Sequence, residues 1–393
     1  MSAPDDVYRA LLDALPGPPD YLYDWAWIEA QPALARLIRA MAETPQEPAF
    51  HGEGDVWTHT RMVCEALTGL PGFRESPPER RQALALAALL HDIGKPACTR
   101  TENGRLVSPH HGPVGAAMAR TVLWTAFGLC GAPAATAFRE ACCCLIRYHT
   151  LPQHLYDQDD PGRRARRIAC IGELAPAFSL SALITLGEAD ALGRVCGDRQ
   201  ALLDDLALSR ETAREAGCAD APYPFASAYT KRAYFRGGQV WPDQALYDDS
   251  FGEVILMCGL PGVGKDTFIR KRWPELPVVS MDDIRRSQGI RPTDNQGRVA
   301  QAAREQARAF LRQRRPFVWN ATSLTALREQ QVSLFERYGA RVRIVYLETC
   351  YAENLRRNAD RPDAVPEHVF HRMLDRLEPP LPDEAAAVEW IAH

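Results

Sequence analysis

The sequence is poor in lysine and lacks the patterns typical of disulfide scaffolds and membrane proteins. Only four of its 46 basic residues are lysine, and its eleven cysteines form no C-x-x-C pair. Three of those cysteines are consecutive, at positions 142–144, as is typical of small buried hydrophobes. No stretch approaches 18 uninterrupted apolar residues, and the first twenty residues lack the basic and apolar regions of a signal peptide. We therefore expect a cytoplasmic, reduced protein with no membrane partner.

The overall charge is also small. The chain of 393 residues has a net charge of −4, so its bulk charge predicts neither nucleic-acid nor membrane binding. Its 46% hydrophobic content excludes a disordered protein. The charge is nevertheless uneven, because residues 251–393 hold 22 basic against 19 acidic side chains. That mild positive balance is compatible with contacts to a few backbone phosphates and does not suit a long basic groove.

The first part of the chain is predicted to be all-α. Its apolar spacing is helical, with no convincing strand alternation before about residue 215, and the strongest helical patterns cover residues 83–90, 116–127, 137–148, 179–192 and 200–215. Residues 217–250 are aromatic, aperiodic and punctuated by proline and glycine, which predicts a partly ordered joint packed on both neighbours. We therefore assign residues 1–216 to a helical domain and residues 217–250 to the joint.

From residue 253 onward, strand and helix patterns alternate. The predicted strands cover residues 254–258, 277–280, 317–319, 341–348 and 388–391. The predicted helices include one ending at residue 273 and others at 297–315, 324–337, 352–357 and 365–377. Such alternation predicts an α/β domain at residues 251–393, with a parallel sheet covered by helices on both faces.

A glycine-rich loop follows the first of these strands. Its residues Gly259, Gly262, Gly264 and Lys265 fit the pattern G-x-x-x-x-G-K, in which backbone N–H groups surround a phosphate and the lysine reaches the β- and γ-phosphates. The residue after the lysine is normally a serine or threonine that binds magnesium. Here Asp266 and then Thr267 follow, and we expect one of the two to take over that role. The predicted ligand is ATP with Mg²⁺.

Two further motifs of this half carry charges suited to phosphoryl transfer. The second predicted strand is followed by Asp282 and Arg285, at the sheet edge where ligands of open α/β sheets bind. A carboxylate there can accept a proton from an attacking hydroxyl, and an arginine three residues later can bind a phosphate with both arms of its guanidinium. Later in the chain, Arg356, Arg357 and Arg361 are consistent with either a solvated helix end or a lid that neutralises the transferring phosphoryl group.

These three motifs together resemble the polynucleotide 5′-kinase family. The resemblance implies that Asp282 is the general base for the 5′-hydroxyl and that Arg285 holds the 3′-phosphate of the acceptor. The donor phosphates would be clamped by Lys265, Arg357 and Arg361. Asn320 stands where a related aspartate often lies in that family.

Histidine and aspartate residues interrupt the apolar helices of the first half. His91 and Asp92 end one such helix, and further interruptions occur at His59, His111, His149 and Asp190. Nitrogen and oxygen ligands converging from several helices suit one or two divalent transition metals, which generate hydroxide near neutral pH and neutralise a phosphate. We interpret His51, His110 and His154 as solvent-exposed residues or as supports behind the ligands.

This set is similar to the HD-domain metal phosphohydrolases, whose motif runs H…HD…H…H…D. The resemblance implies core ligands at His59, His91, Asp92 and Asp190. His111 and His149 match the positions that add a second metal. Lys95 is the usual companion of the motif and would contact phosphate.

The combination of the two halves resembles the bacterial HD–polynucleotide kinase end-healing enzymes. It implies removal of a 2′-, 3′- or 2′,3′-cyclic phosphate by the HD domain and transfer of the ATP γ-phosphate to a 5′-hydroxyl of RNA or DNA, leaving ends for a downstream ligase. One alternative is a nucleotide-metabolism protein that cleaves mononucleotides and phosphorylates a small metabolite. Another is a nucleotide-gated sensor. Arg285 favours the end-healing enzyme over the nucleotide-metabolism protein, because a small neutral acceptor has no phosphate for this arginine to bind.

Overall fold

The computed structural model describes residues 4–291, 294–321, 325–361 and 364–393, and for residues 4–6 it describes the backbone alone. The chain divides into two compact units, Met1–Tyr223 and Pro224–His393. This division falls inside the segment 217–250 that the sequence predicts to be a joint. Each unit is described separately below.

The first unit is built almost entirely of helices. Their bounds are α1 Pro4–Asp13, α2 Trp25–Ala30, α3 Pro32–Ala42, α4 Val56–Gly69, α5 Pro71–Arg74, α6 Pro78–Leu90, α7 Lys95–Cys98, α8 His111–Thr125, α9 Pro133–Tyr148, α10 Pro161–Ala169, α11 Leu180–Leu192 and α12 Arg199–Glu215, with 3₁₀ turns at Leu151–His154 and Cys170–Glu173. None of the helices in the described part of the chain has both the length and the apolar character that a membrane span needs.

The expectation that this half contains no strands is wrong in one place. Strands β1 (Arg100–Glu102) and β2 (Arg105–Val107) form a short antiparallel hairpin. Its two turn residues, Asn103 and Gly104, both have positive φ angles, which asparagine and glycine tolerate best. Three-residue strands are too short to give a recognisable alternation, which explains why the sequence pattern did not indicate them.

Helix α6 is the centre of the helical unit. Every residue from Ala83 to Leu90 is buried, and α6 packs against α4, α9 and α11. Gly94 ends the turn that follows it, and a Cβ atom there would lie 2.2 Å from the carbonyl oxygen of His111. Only glycine permits this close approach, which brings the end of α6 against the start of α8.

The second unit has the predicted α/β architecture. It begins with α13 Ala228–Phe235 and continues with β3 Glu253–Cys258, α14 Lys265–Arg272, β4 Val278–Ser280, α15 Met281–Gln288, α16 Gly297–Arg312, β5 Val318–Asn320, α17 Thr325–Arg337, β6 Arg341–Glu348, α18 Tyr351–Ala359, α19 Glu367–Asp375 and β7 Ala387–Ala392. The five strands β3–β7 form one parallel sheet of order β4-β5-β3-β6-β7, with flanking helices. Its carboxyl edge carries the glycine loop after β3 and the start of α15 after β4.

Helix α13 was not expected, because the sequence around it shows no helical periodicity. Ser227 starts the helix by accepting a hydrogen bond from the Thr230 backbone N–H at 3.0 Å. Arg232 of this helix forms an ion pair with Glu336 at 2.7 Å and donates to the Asp383 carbonyl at 2.6 Å. The segment after Pro224 is therefore fixed by contacts within the second unit.

Candidate active sites

Six polar side chains of the first unit lie together in its core. They are His59 on α4, His91 and Asp92 at the end of α6, His111 at the start of α8, His149 at the end of α9, and Asp190 on α11. All are buried except His111, whose side chain is 18% exposed. The structure thus brings together every residue that the sequence predicts to bind metal.

Asp92 lies at the centre of this cluster. Its Oδ2 atom is 3.2 Å from His91 Nε2 and 3.7 Å from His59 Nε2, and its Oδ1 atom is 3.4 Å from His111 Nε2 and 3.8 Å from His149 Nε2. His59 Nε2 is also 3.0 Å from Asp190 Oδ1. Within these six residues, two sets of donor atoms are each mutually within 4.8 Å: His59, His91 and Asp190, and Asp92, His111 and His149.

The tautomers of three imidazoles are fixed by the backbone. In His91, His111 and His149, Nδ1 lies 2.7–2.8 Å from the carbonyl oxygen three residues earlier. A carbonyl can only accept, so Nδ1 carries the proton and the Nε2 lone pair is directed at Asp92. Among the described residues, the buried His91 Nε2 and Asp92 Oδ1 atoms have no hydrogen-bond donor. Buried lone pairs that converge without a donor fit a bound cation.

The protonation states also suit metal binding. Burial lowers the pKa of His149 to about 3, so its imidazole is neutral. Burial alone would raise the pKa of Asp92, but the positive charge of the adjacent Lys95 opposes it, and the pKa lies well below its usual value. Metal ligands must be deprotonated, and His149 and Asp92 already are. Burial lowers the pKa of His59, but its contacts with Asp190 and Glu53 outweigh burial and raise that pKa.

Glu53 supports the cluster from behind and was not identified from the sequence. Its Oε1 atom is 2.9 Å from His59 Nδ1 and 2.8 Å from His51 Nδ1, while its Oε2 atom accepts from the Val195 N–H at 2.9 Å. His59 is therefore held by a carboxylate, whereas the other three imidazoles are held by carbonyls. Glu53 lies in a loop 142 residues from Val195, and no local pattern indicates that contact.

A cavity of about 270 Å³ opens onto the cluster. Lys95, His111, His149 and Arg194 are among the residues that line it. Lys95 Nζ is 2.7 Å from Asp92 Oδ2 and donates to Gln46 Oε1 at 2.6 Å. Arg194 Nε donates to Asp190 Oδ1 at 3.2 Å. Two cations at the wall of a cavity whose floor holds the candidate metal ligands form an environment suited to a phosphate.

Two of the three weaker histidine candidates, His51 and His154, line this cavity. His51 is mostly buried and contacts Glu53, whereas His110 and His154 are exposed. Among the residues that the structure describes, none of the three forms an ion pair or a hydrogen bond with Asp92 or Asp190, whereas His51 shares a further set of donor atoms within 4.8 Å with Glu53 and His59. His51 thus lies beside the cluster, and His110 and His154 are exposed to solvent.

The glycine loop of the second unit forms a tight curl. Gly259, Gly262 and Gly264 have φ angles of 136°, 82° and 90°, and a Cβ atom on Gly259 would lie 2.4 Å from the Leu347 carbonyl oxygen. Lys265 begins α14, and its Nζ atom donates to two carbonyls of the loop, at 2.8 and 2.9 Å. Burial lowers the pKa of Lys265 to about 8. The backbone N–H groups at this helix start can bind a phosphate.

Asp282 lies in the same cavity as Lys265, which has a volume of about 670 Å³. Asp282 is the second residue of α15 and forms ion pairs with Arg285 and, at 3.2 Å, with Arg361. Arg285 also donates from Nε to Gln296 Oε1 at 2.7 Å. The predicted base, the predicted acceptor-binding arginine and one of the predicted lid arginines are thus adjacent.

Arg357, Asp266, Thr267 and Asn320 line the same cavity, whereas Arg356 is exposed and pairs with Glu353 and Asp360. Arg357 pairs with Glu353, and its Nη1 atom is 3.2 Å from His393 Nε2. Asp266 accepts a hydrogen bond from Asn320 Nδ2 at 2.5 Å. Thr267 is also exposed to the cavity, so both candidates for the magnesium role are accessible there.

Comparison with known families agrees with this geometry. Residues 55–184 match the HD domain family, and residues 254–380 match a family described as an AAA domain. The chain therefore joins an HD domain to a P-loop kinase-like domain. This combination supports an enzyme with phosphohydrolase and kinase-like parts acting on nucleotides or nucleic acids, and it implies a divalent metal in one part and ATP with Mg²⁺ in the other.

One curated relative covers a small part of the chain. A stretch of 66 residues is 41% identical to a protein of Halorhodospira halophila (strain DSM 244 / SL1) named multifunctional CCA protein. That stretch amounts to 16% of this chain and 14% of that protein. The similarity is thus confined to a short shared segment.

Proposed function

We propose that this protein is a bifunctional enzyme that heals broken nucleic-acid ends. Its helical unit would remove a 2′-, 3′- or 2′,3′-cyclic phosphate, and its α/β unit would transfer the γ-phosphate of ATP to a 5′-hydroxyl. The observation that carries the proposal is the presence of Asp282, Arg285 and Lys265 around one cavity. That cavity combines a donor-phosphate loop, a proton acceptor and a cation suited to a phosphorylated acceptor.

In the kinase reaction, the glycine loop and Lys265 hold the β- and γ-phosphates of ATP. Asp282 accepts the proton of the attacking 5′-hydroxyl, whose oxygen forms the new bond to the γ-phosphorus as the bond to ADP breaks. Arg285 binds the 3′-phosphate of the terminal nucleotide and thereby orients its 5′-hydroxyl towards Asp282. Arg357 and Arg361 lie where they can neutralise charge on the transferring group.

In the phosphohydrolase reaction, the substrate phosphate enters the smaller cavity above Asp92. A divalent metal held there would supply Lewis acidity and activate water as a nucleophile. His59, His91, Asp92 and Asp190, with His111 and His149, would hold it. Lys95 and Arg194 lie at the cavity wall, where they orient the phosphate and offset its charge. Burial of the cluster excludes bulk water from the charged groups.

The test uses RNA and DNA oligonucleotides with 5′-hydroxyl or with 3′-phosphate and 2′,3′-cyclic phosphate ends, labelled ATP, and Mg²⁺, Mn²⁺, Ni²⁺ or Co²⁺ in turn. Wild type should modify both ends. Lys265→Ala and Asp282→Asn should lose 5′ phosphorylation alone, and Asp92→Asn should lose 3′-end healing alone. Asp283→Asn is the matched control for Asp282, because Asp283 is the next residue of α15 and pairs with Arg286 instead.

Two results would contradict the proposal. If wild type leaves both ends unchanged but hydrolyses free mononucleotides and phosphorylates a small metabolite, the protein belongs to nucleotide metabolism. If Asp283→Asn reduces 5′ phosphorylation as much as Asp282→Asn does, Asp282 is not the base.

A further inference from the structure

The kinase cavity has a large excess of positive charge. Its charged lining residues are Lys265, Arg285, Arg286, Arg291, Arg304, Arg357 and Arg361 against Asp266 and Asp282. Four of the arginines are already paired with carboxylates: Arg285 and Arg361 with Asp282, Arg286 with Asp283, and Arg357 with Glu353. Within the described ranges, the side chains of Arg291 and Arg304 have neither an ion pair nor a hydrogen bond. These two guanidinium groups are available to an anionic ligand.

Arg304 lies on the face of α16 that borders the cavity. Arg304 and Ala300 are one turn apart on α16, and both line the cavity. The buried face of α16 consists of Val299, Ala303, Ala307 and Leu311. The side of the helix that carries Arg304 is therefore the one that borders the ligand space.

Arg304 lies further along α16 than the point at which Arg285 contacts the start of that helix. Gln296, the residue just before α16, accepts a hydrogen bond from Arg285. Arg304 is seven residues after the first residue of α16, or about 10 Å along the helix axis. A cation displaced by that much along the cavity wall suits a second phosphate better than the one assigned to Arg285.

The phosphates of the donor ATP have other cations near them, at the glycine loop. A Cβ atom built on Gly264 of the glycine loop would be 4.0 Å from Arg357 Nη1, so Arg357 lies at the loop end of the cavity. Lys265 lies there as well, because its Nζ atom donates a hydrogen bond to a carbonyl of that loop. The triphosphate of ATP therefore has its own cations, and Arg304 is left for the acceptor.

We propose that Arg304, with Arg291, binds an internal phosphate of the acceptor strand, so that the kinase selects oligonucleotides over mononucleotides. This inference rests on the proposed kinase function. A guanidinium group presents a planar fork of donors to phosphate oxygens, which suits backbone contacts that carry no base specificity. An acceptor of one nucleotide would reach Arg285 but not Arg304, whereas a longer strand would reach both.

The experiment compares two acceptors, a nucleoside 3′-monophosphate and a 5′-hydroxyl tetranucleotide with a 3′-phosphate, in wild type and in Arg304→Ala, Arg304→Lys and Arg291→Ala. Arg304→Ala should raise the KM for the tetranucleotide about tenfold and leave its kcat unchanged. The KM for the mononucleotide should not change. Arg304→Lys should restore part of the loss. For the tetranucleotide, the slope of log kcat/KM against the logarithm of the salt concentration should become less negative by about 0.7 in Arg304→Ala.

Arg308→Ala is the matched control, because Arg308 lies one turn further along α16 and is paired with Glu305 at 2.6 Å. A tetranucleotide whose internal linkages are neutral methylphosphonates should behave in wild type as the phosphate-linked form does in Arg304→Ala. Equal effects on both acceptors, no effect on either, or the same effect in Arg308→Ala would overturn the assignment of Arg304. If wild type phosphorylates neither acceptor, the kinase proposal fails as well.

Discussion

The two candidate sites differ in how firmly their charged groups are held. In the helical unit, His59, His91 and Asp92 are at most 1% exposed, and backbone carbonyls or Glu53 fix the imidazoles. In the α/β unit, the Asp282 side chain is 42% exposed and is paired with two arginines. The first site is thus preorganised around a space for a cation. The second consists of partly exposed ion pairs that the proposed substrate would have to displace.

This difference has an energetic basis. Buried polar groups cost free energy unless they are satisfied, so the histidine cluster can persist only with fixed partners or a bound metal. Exposed ion pairs contribute about 0–1 kcal/mol each, so the pairs around Asp282 can open at little cost. We therefore expect substitutions in the first site to affect both metal binding and stability. Substitutions in the second should affect mainly catalysis.

The largest effect should come from Asp92→Asn. The change removes the carboxylate that contacts four imidazoles and leaves the buried Lys95 without its ion pair. We expect loss of bound divalent metal, loss of phosphohydrolase activity, and a loss of unfolding free energy of about 3 kcal/mol in the metal-free protein. Metal analysis and denaturant unfolding measure these quantities. A kinase rate that fell in parallel would contradict the independence of the two sites.

The next effect should come from Gly259→Ala in the glycine loop. The new Cβ atom would lie 2.4 Å from the Leu347 carbonyl oxygen, and the φ angle of 136° is unfavourable for alanine. We expect ATP binding to be lost, as measured by calorimetry, while phosphohydrolase activity is retained.

Gly339→Ala is the matched control for this change. Gly339 has a φ angle of 81° but open space around its Cβ position. It should cost about 1 kcal/mol of stability and leave ATP binding intact. Equal loss of ATP binding in both variants would show that backbone strain, and not the shape of the loop, explains the result.

A smaller effect should come from Glu53→Gln behind the histidine cluster. An amide cannot supply the negative charge that the carboxylate places 2.9 Å from His59 Nδ1. We expect metal affinity to fall about 10- to 100-fold, measured by competition with a chelating dye. Glu65→Gln, a change at an exposed position of the same helix as His59, should leave the affinity unchanged. If Glu53→Gln leaves the metal affinity unchanged, metal binding depends on the ligands held by backbone carbonyls, His91, His111 and His149, and not on the support of His59.

The smallest effect concerns Asp266 and Thr267 at the exposed kinase cavity. We expect either Asp266→Ala or Thr267→Ala to raise the Mg²⁺ concentration needed for half-maximal kinase activity about tenfold, because one of these oxygens replaces the usual hydroxyl. Titration of activity with Mg²⁺ measures the shift. If both variants keep the wild-type Mg²⁺ dependence, the magnesium role assigned to this pair is wrong.

Much of the fold follows from local patterns in the sequence. The predicted strand 341–348 coincides with β6, and the predicted helix 297–315 ends three residues earlier, at Arg312. These elements are long and have a regular periodicity, so local spacing determines them. The β1–β2 hairpin and α13 were missed because a three-residue strand and an aromatic eight-residue helix give no such signal.

The sequence by itself determined which chemical groups are available and where each lies on its element. The glycine loop, the His91–Asp92 pair at a helix end and the Asp282–Arg285 spacing are all local, because each lies within at most seven consecutive residues. Only the tertiary structure decided which groups meet. His59 contacts Asp190 across 131 residues, and Asp282 contacts Arg361 across 79. Such contacts depend on how several helices or strands pack together, and side-chain periodicity within one element carries no information about that packing.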